Sequence, residues 1–269
     1  MTTKESTAVA KVPASPGTAL VPTELEQMFQ EQAGVGLEDM TQSDRVTPFI
    51  GLIQGLSPQI DKNKPEYIAG AEIGDTFNTV TREVYKNETG GLKVIAVLYQ
   101  KIWSTWVPRD LGGGFLGSYA DPDLSKPILV PNNLNDYDGP VQTVETANHF
   151  VLAQGTDGTW APALISMTST KLKASRNWNT LTTIAASKYK APVFARIYTI
   201  SSVSQTNEKG TFANFKIEDA GFVTPELFKM AAQFRDDIKA GLVKIDPTKA
   251  ADTPAVDAEV VADEKAPKY

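Results

Sequence analysis

The run LKVIAVLYQKIWSTWVPR, residues 92–109, constrains the fold more than any other stretch, because it is the longest β-patterned segment of the chain. Its first half is apolar on both faces, as in a buried strand. Its second half alternates, placing Tyr99, Lys101 and Trp103 on one face and Trp106 on the other unless a bulge intervenes.

The other elements are ordered around this strand. TVETANHFVLAQ and TWAPALISMT read as the next two strands, joined by a turn at Gly155–Gly158. MTSTKLKASRNWNTLTTIAASKYK, residues 167–190, then reads as a helix whose apolar stripe is Ala174, Trp178, Leu181 and Ala185. Thr168, Ser169 and Thr170 offer capping hydroxyls, while Lys171 and Lys173 fall where the helix dipole favours carboxylates, so an anion such as phosphate suits this turn. APVFARIYTISSVSQ and TFANFKIEDAG follow as a hairpin about Asn207–Gly210. Thr224 and Pro225 open a final helix with a stripe through Leu227, Met230, Phe234 and Ile238, closed by Gly241.

Three strands, a helix and two strands is the order of a five-stranded OB barrel with its helix between the third and fourth strands. The expected class is therefore α+β, mainly β, an OB-like barrel with an inserted helix and extra N- and C-terminal helices. An α+β sheet of another topology gives the same string.

Upstream, residues 1–22 lack periodicity and read as disordered, and TELEQMFQEQ as a short helix with Thr23 and Glu26 in a capping box. DRVTPFIGLIQGLSPQI, broken by Pro48, Gly51, Gly55 and Pro58, reads as a broken helix packed on the core, and GDTFNTVT and REVY as short strands. The domain then spans residues 23–241, with a surface insertion near 110–140 carrying the glycines of RDLGGGFLGSY, and a disordered acidic tail over 242–269.

Composition narrows the chemistry. With no cysteine and one histidine, His149, thiolate and His-rich metal sites and Cys nucleophiles are excluded. Asp121, Asp123, Asp136 and Asp138 lack EF-hand spacing, so no metal or other cofactor is expected. Neither GxSxG nor a Walker motif occurs, and His149 reads as a satisfied strand histidine, so the chain is not expected to be an enzyme. No apolar run reaches the ~20 residues of a membrane span and no signal-peptide core is seen, which points to the cytoplasm and no membrane partner.

The formal charge of −6 is unevenly spread. Between Met167 and Ile217, Lys171, Lys173, Arg176, Lys188, Lys190, Arg196, Lys209 and Lys216 meet one acid, Glu208. Cations also interleave with aromatics at a period of two: Tyr99, Lys101 and Trp103 on one strand, Phe194, Arg196 and Tyr198 on another, Phe212, Asn214 and Lys216 on a third. On one sheet surface these would supply phosphate contacts and stacking platforms for a single strand, extended by Trp106, Arg109 and Phe115 and by Lys171, Lys173 and Arg176 at the helix start. The competing reading is that the aromatics fill the core; Lys101 and Arg196 argue against it, since a cation does not face a closed core unpaired.

PFIGLIQGLSPQI, AGAEIGDTFNTVT, WVPRDLGGGFLGSY, ETANHFVL and ALISMTSTKLKASRNWNTL resemble blocks of a family of bacteriophage proteins encoded among replication genes and described as single-stranded DNA-binding, over residues 40–240. The resemblance implies an OB barrel acting in the infected host's cytoplasm, as a homo-oligomer or alone. It also implies an acidic C-terminal tail that recruits polymerase or helicase, here Asp257, Glu259, Asp263, Glu264 and Tyr269. Lys265 and Lys268 interrupt that acidic run, a departure from the pattern. The expected function is a sequence-tolerant single-stranded DNA-binding protein of replication or recombination. The alternatives are a virion structural or assembly protein using residues 49–56 and the acidic loop, and a nuclease built on Asp136 or Asp138.

Overall fold

In the computed structural model, residues 28–29, 31–32, 35–40, 44–120, 128–130, 139–208 and 210–246 are described. The chain divides into two units, Met1–Thr41 and Gln42–Tyr269. In the first, Met28, Phe29 and Glu31 are helical, within the segment read as a helix. The expected disorder of residues 1–22 and, apart from residues 128–130, the acidic loop of 121–138 fall outside the described residues, as does most of the tail.

The second unit is mainly β. Three short strands, β1 (Ile50–Leu52), β2 (Thr76–Asn78) and β3 (Val84–Tyr85), form one small sheet. The expected broken helix over residues 44–60 is thus a strand followed by a 3-10 turn at Pro58–Ile60. Phe49, Ile50, Leu52 and Ile53 are all buried, so side chains on both faces of the segment find apolar neighbours, which suits an extended chain better than a one-sided helix.

The main sheet has seven antiparallel strands. They are β4 (Leu92–Val107), β5 (Gly114–Tyr119), β6 (Ile128–Val130), β7 (Gln142–Gln154), β8 (Trp160–Thr168), β9 (Arg196–Asn207) and β10 (Gly210–Phe222). β4 is the hub. Its first residues lie between β9 and β7, with Val94 opposite both Tyr198 and Ala153, and its last residues between β5 and β7. At the core end the order is β10-β9-β4-β7-β8; at the other end β4, β5, β6 and β7 run on as an arm. The arm turns at Gly112, Gly113 and Gly114, all at positive φ (105°, 68° and 139°), where a side chain would be strained.

The expected barrel does not close as a continuous ladder: β8 and β10 are not paired with each other among the described residues. The segment around β1 lies between them. Leu164 donates its N–H to the Pro48 carbonyl, Phe49 bridges Leu164 in parallel, and the Gln54 amide both donates to the Ala213 carbonyl (2.9 Å) and accepts from the Ala213 N–H (3.0 Å). A side-chain amide substitutes for one rung of a β ladder.

Both faces of the sheet are covered. On the inner face Val94, Ala96, Val151, Ile165, Met167, Tyr198, Ile200 and Phe215 pack with Ile50 and Leu52 under helix α1 (Leu172–Tyr189), whose Trp178 is fully buried. On the outer face Ile95, Val97, Phe150, Leu152 and Leu164 pack against Ala231 and Phe234 of helix α2 (Pro225–Lys239), with Val243 and Ile245 beyond it. α2 starts as its sequence predicts, Thr224 accepting from the Leu227 N–H, but Met230 of its stripe is exposed. In α1 the buried set is Ala174, Ser175, Trp178 and Thr182, whereas Leu181 is exposed. The hydroxyl cap expected for α1 is not made: a 3-10 turn at Ser169–Lys171 precedes the helix, and Lys171 sits at the N-cap position without a side-chain cap.

Candidate nucleic-acid interface

The inner face of the sheet extends past α1 onto the arm, and there three of the expected site residues come together. Tyr99, Lys101 and Trp103 of β4 oppose His149, Ala147 and Glu145 of β7, so all six side chains share one face. A register shift between Ala96 and Leu98 sets this phase. Without that bulge Tyr99 would fall on the other side.

Tyr99 is 42% exposed. It begins a ladder of rings running inward: Tyr99 to His149 at 5.1 Å, His149 stacked on Trp178 at 4.4 Å, and Trp178 edge-on to Tyr198 at 5.9 Å. His149 is 3% exposed and its Nε2 lies 2.8 Å from the Ser175 hydroxyl. Burial pushes its pKa down to about 3, so the ring is neutral and serves as a rigid spacer. The Ser175–His149 pair is enclosed, with Ser175 1% exposed, and presents no nucleophile to solvent.

Lys101 is the cation of the patch. Its Nζ lies 5.2 Å from the centroid of the Trp103 ring and 3.2 Å from Glu145 Oε1. The ammonium therefore sits between an indole face, which attracts it electrostatically, and a carboxylate. Both charged side chains are accessible, Lys101 at 47% and Glu145 at 22%. Glu145 was not expected as a site residue, because its place beside Lys101 comes from cross-strand register, which no single segment encodes.

The remaining expected residues divide. Trp106 lies on the opposite face of β4 by alternation and packs edge-on against Phe115, which is buried, so this pair is part of the arm's own packing. Arg109 opens the 3-10 turn after β4; its side chain lies outside the described residues. Lys173 and Arg176 are exposed on α1, and Lys171 is buried with its Nζ 5.7 Å from the Phe215 ring.

Tyr198 is a core residue, with no accessible surface, and not a stacking platform: it lies on a central strand beneath α1, and burial pushes its hydroxyl pKa up to about 12. Arg196 forms a closed cluster, its guanidinium between the rings of Tyr189 and Phe222 (5.1 and 4.1 Å) and bonded through Nε to Asp219 Oδ2 at 2.9 Å and through its other arm to Asp219 Oδ1. Lys216 falls on the outer face, opposite in phase to Phe215, and pairs with Glu218 at 2.9 Å. The single cationic surface expected across three strands is therefore not formed. What forms is a smaller patch on β4 and β7. Asp257, Glu259, Asp263, Glu264 and Tyr269 lie outside the described residues.

Among the described residues, no group of three or more acidic or histidine side chains is placed to hold a metal ion, and no helix is long and apolar enough to cross a membrane. Residues 16–244 match the model of a family described as Pam3 phage gp34-like protein, and the chain belongs to that family. No curated protein and no solved structure matches the chain.

Proposed function

We propose that this member of a phage family is a non-catalytic, sequence-tolerant binder of single-stranded DNA during phage replication or recombination. The observation that carries the reading is the Tyr99–Lys101–Trp103 row on one strand face, with Tyr99 and Lys101 exposed and Trp103 half-buried: two aromatic side chains flank a cation at the spacing of alternate strand residues. Bases stack on Trp103 and Tyr99, each worth about 1–3 kcal/mol, while Lys101 takes the backbone phosphate. Lys173 and Arg176 of α1, exposed and in a stretch without acids from Ala161 to Asn207, extend the phosphate path.

The strand order supports the same reading. β10-β9-β4-β7-β8, with α1 between β8 and β9, is the order of an OB sheet cut open between its third and fifth strands. We read the unit as an OB barrel whose last seam is closed by the Pro48–Gln54 segment, with the arm as an enlarged first hairpin. The overall charge of −6 does not oppose this, since a single strand meets the local field of the patch. Recruitment of replication proteins through the acidic tail, in the cytoplasm of the infected host, belongs to the same proposal.

The test is titration of oligo-dT while following tryptophan fluorescence and anisotropy across salt. Binding is expected to weaken with a log–log slope of about −0.7 per phosphate neutralised. Trp103→Ala should lower affinity by about five- to 150-fold and Lys101→Ala should make the slope shallower by about one phosphate. Absence of binding at low salt, with copurification on capsids, would instead point to a virion assembly protein.

A further inference from the structure

β9 outruns its neighbour β4, which leaves part of its edge open. The β4–β9 ladder ends with Leu92 opposite Ile200. Gly91, just upstream, has a positive φ of 75° and lies so near β9 that a Cβ there would be 2.1 Å from the Ile200 oxygen. From Gly91 toward its N-terminus the chain leaves the ladder through a 3-10 turn at Asn87–Thr89, while β9 runs on to Asn207.

The next rung of the ladder is made by a side chain. Ser202 donates its N–H to Asn87 Oδ1 at 2.6 Å, and its carbonyl accepts from Asn87 Nδ2 at 3.3 Å. Since Ser202 directs its backbone groups to this side, strand alternation directs those of Ser204 and Thr206 the same way and those of Val203 and Gln205 toward β10. The phase is consistent on β10, where Ala213, opposite Ser204, turns both backbone groups away from β9 to Gln54. Among the described residues the backbone N–H and C=O of Ser204 and Thr206 have no partner. The stretch also lacks the devices that blunt an edge: residues 203–207, VSQTN, are exposed and hold neither a charge nor a proline.

We infer that this edge of β9 is the contact surface for a second copy of the chain, the two strands pairing antiparallel about a two-fold axis at Gln205. In that register Ser204 of one copy exchanges two hydrogen bonds with Thr206 of the other and the reverse, four in all, and Val203 faces Asn207. The pairing stops at both ends where the fold stops it, at the Asn87 rung on Ser202 and at the turn of the hairpin beyond Asn207. A register centred on Ser204 sets Thr206 against Ser202 and has to expel Asn87, and one centred on Thr206 runs Ser204 into the turn. Only the register about Gln205 uses both open rungs of both copies. Neutrality fits the same occupant, because a charge on the axis would face its like. Four backbone bonds with little apolar area make a weak, reversible dimer.

The full chain has no cysteine, so an introduced thiol reports this register directly. Across the axis the two Cα atoms of residue 205 form a non-hydrogen-bonded pair about 4.5 Å apart, within disulfide range. Two copies of residue 203 lie about 13 Å apart along the strands. Under mild oxidation Gln205→Cys should give a covalent dimer, Val203→Cys and Asn207→Cys each alone should not, and an equal mixture of the last two should. Sedimentation equilibrium of wild type into the millimolar range should show a monomer–dimer equilibrium. Thr206→Pro removes an outward N–H without touching the β9–β10 ladder, deletes two of the four bonds and should weaken the dimer about five- to 150-fold. Thermal melting of each variant establishes that the hairpin is retained. A wild type that stays monomeric throughout the range overturns the inference. So does a dimer that Thr206→Pro leaves intact, or cross-linking of Val203→Cys with itself as fast as Gln205→Cys, since another surface would then join the copies. None of these outcomes depends on whether the protein binds single strands.

Discussion

His149 is the only histidine of the chain, and its burial makes a clean prediction about acid stability. The imidazole is stacked on Trp178 at 4.4 Å and tilted against Tyr99 at 5.1 Å, with Ser175 as its hydrogen-bond partner, so there is no anion beside it to stabilise a positive charge. Folded, it stays neutral down to about pH 3. Unfolded, it takes up a proton below its ordinary value of about 6.5. Between these limits the unfolded state binds more protons, so stability is full above about pH 6.5 and is lost as pH falls through the window. At about pH 5 the loss is roughly 1.5 pH units at 1.36 kcal/mol each, or about 2 kcal/mol, which corresponds to about 4–8 °C in Tm for a unit of this size. The assay is urea unfolding of wild type and His149→Gln at about pH 8 and about pH 5. Glutamine retains a partner for Ser175 and does not titrate. The variant starts less stable because it loses two ring contacts, but its stability should fall less by about 2 kcal/mol on acidification. Carboxylates titrate in both proteins and cancel in the difference. Parallel losses in the two would refute the claim that His149 is held neutral in the fold.

Three further perturbations test the packing. Trp178→Ala should cost about 3–5 kcal/mol in chemical unfolding, since the ring is fully buried between His149 and Tyr198 and beneath the inner sheet face. Gln54→Leu leaves the Ala213 N–H and carbonyl without their amide partner and should cost about 1–3 kcal/mol, with faster hydrogen exchange at Ala213 as the local signature; unchanged protection there would show that the seam does not depend on Gln54. Gly91→Ala and Gly90→Ala form a matched pair: both sites have positive φ (75° and 102°), but only at Gly91 would a Cβ meet backbone, 2.1 Å from the Ile200 oxygen. Gly90→Ala should cost about 1–2 kcal/mol of backbone strain and Gly91→Ala clearly more, read as the difference in urea midpoint.

The parts of the fold that sequence determined are those in which chemistry repeats along one segment. The β pattern of residues 92–107 and 142–154, the helix body within residues 167–190 and the Thr224-Pro225 start of α2 all depend on neighbours within a few residues, and each element is found within the segment its pattern marks. Residues 44–60 read as a broken helix but hold the strand Ile50–Leu52, because an apolar run buried on both faces has no period to separate strand from helix.

Tertiary structure decided the rest. Tyr198 and Trp103 both sit in strands with a cation two residues away, yet Tyr198 has no accessible surface and Trp103 retains some, since β9 runs beneath α1 and the second half of β4 runs beyond it. Arg196 and Lys101 are alike in sequence context, but Arg196 is enclosed by Tyr189 at the end of α1 and by Asp219 and Phe222 of the paired strand β10. A one-residue bulge after Ala96 sets which side of the sheet Tyr99, Lys101 and Trp103 occupy, and the register with β7 brings Glu145 to Lys101. Local pattern specifies which side chains share a face of a strand; only cross-strand register and the position of the covering helices determine whether that face is core, clamp or open surface, because those are set by burial summed over the whole sheet.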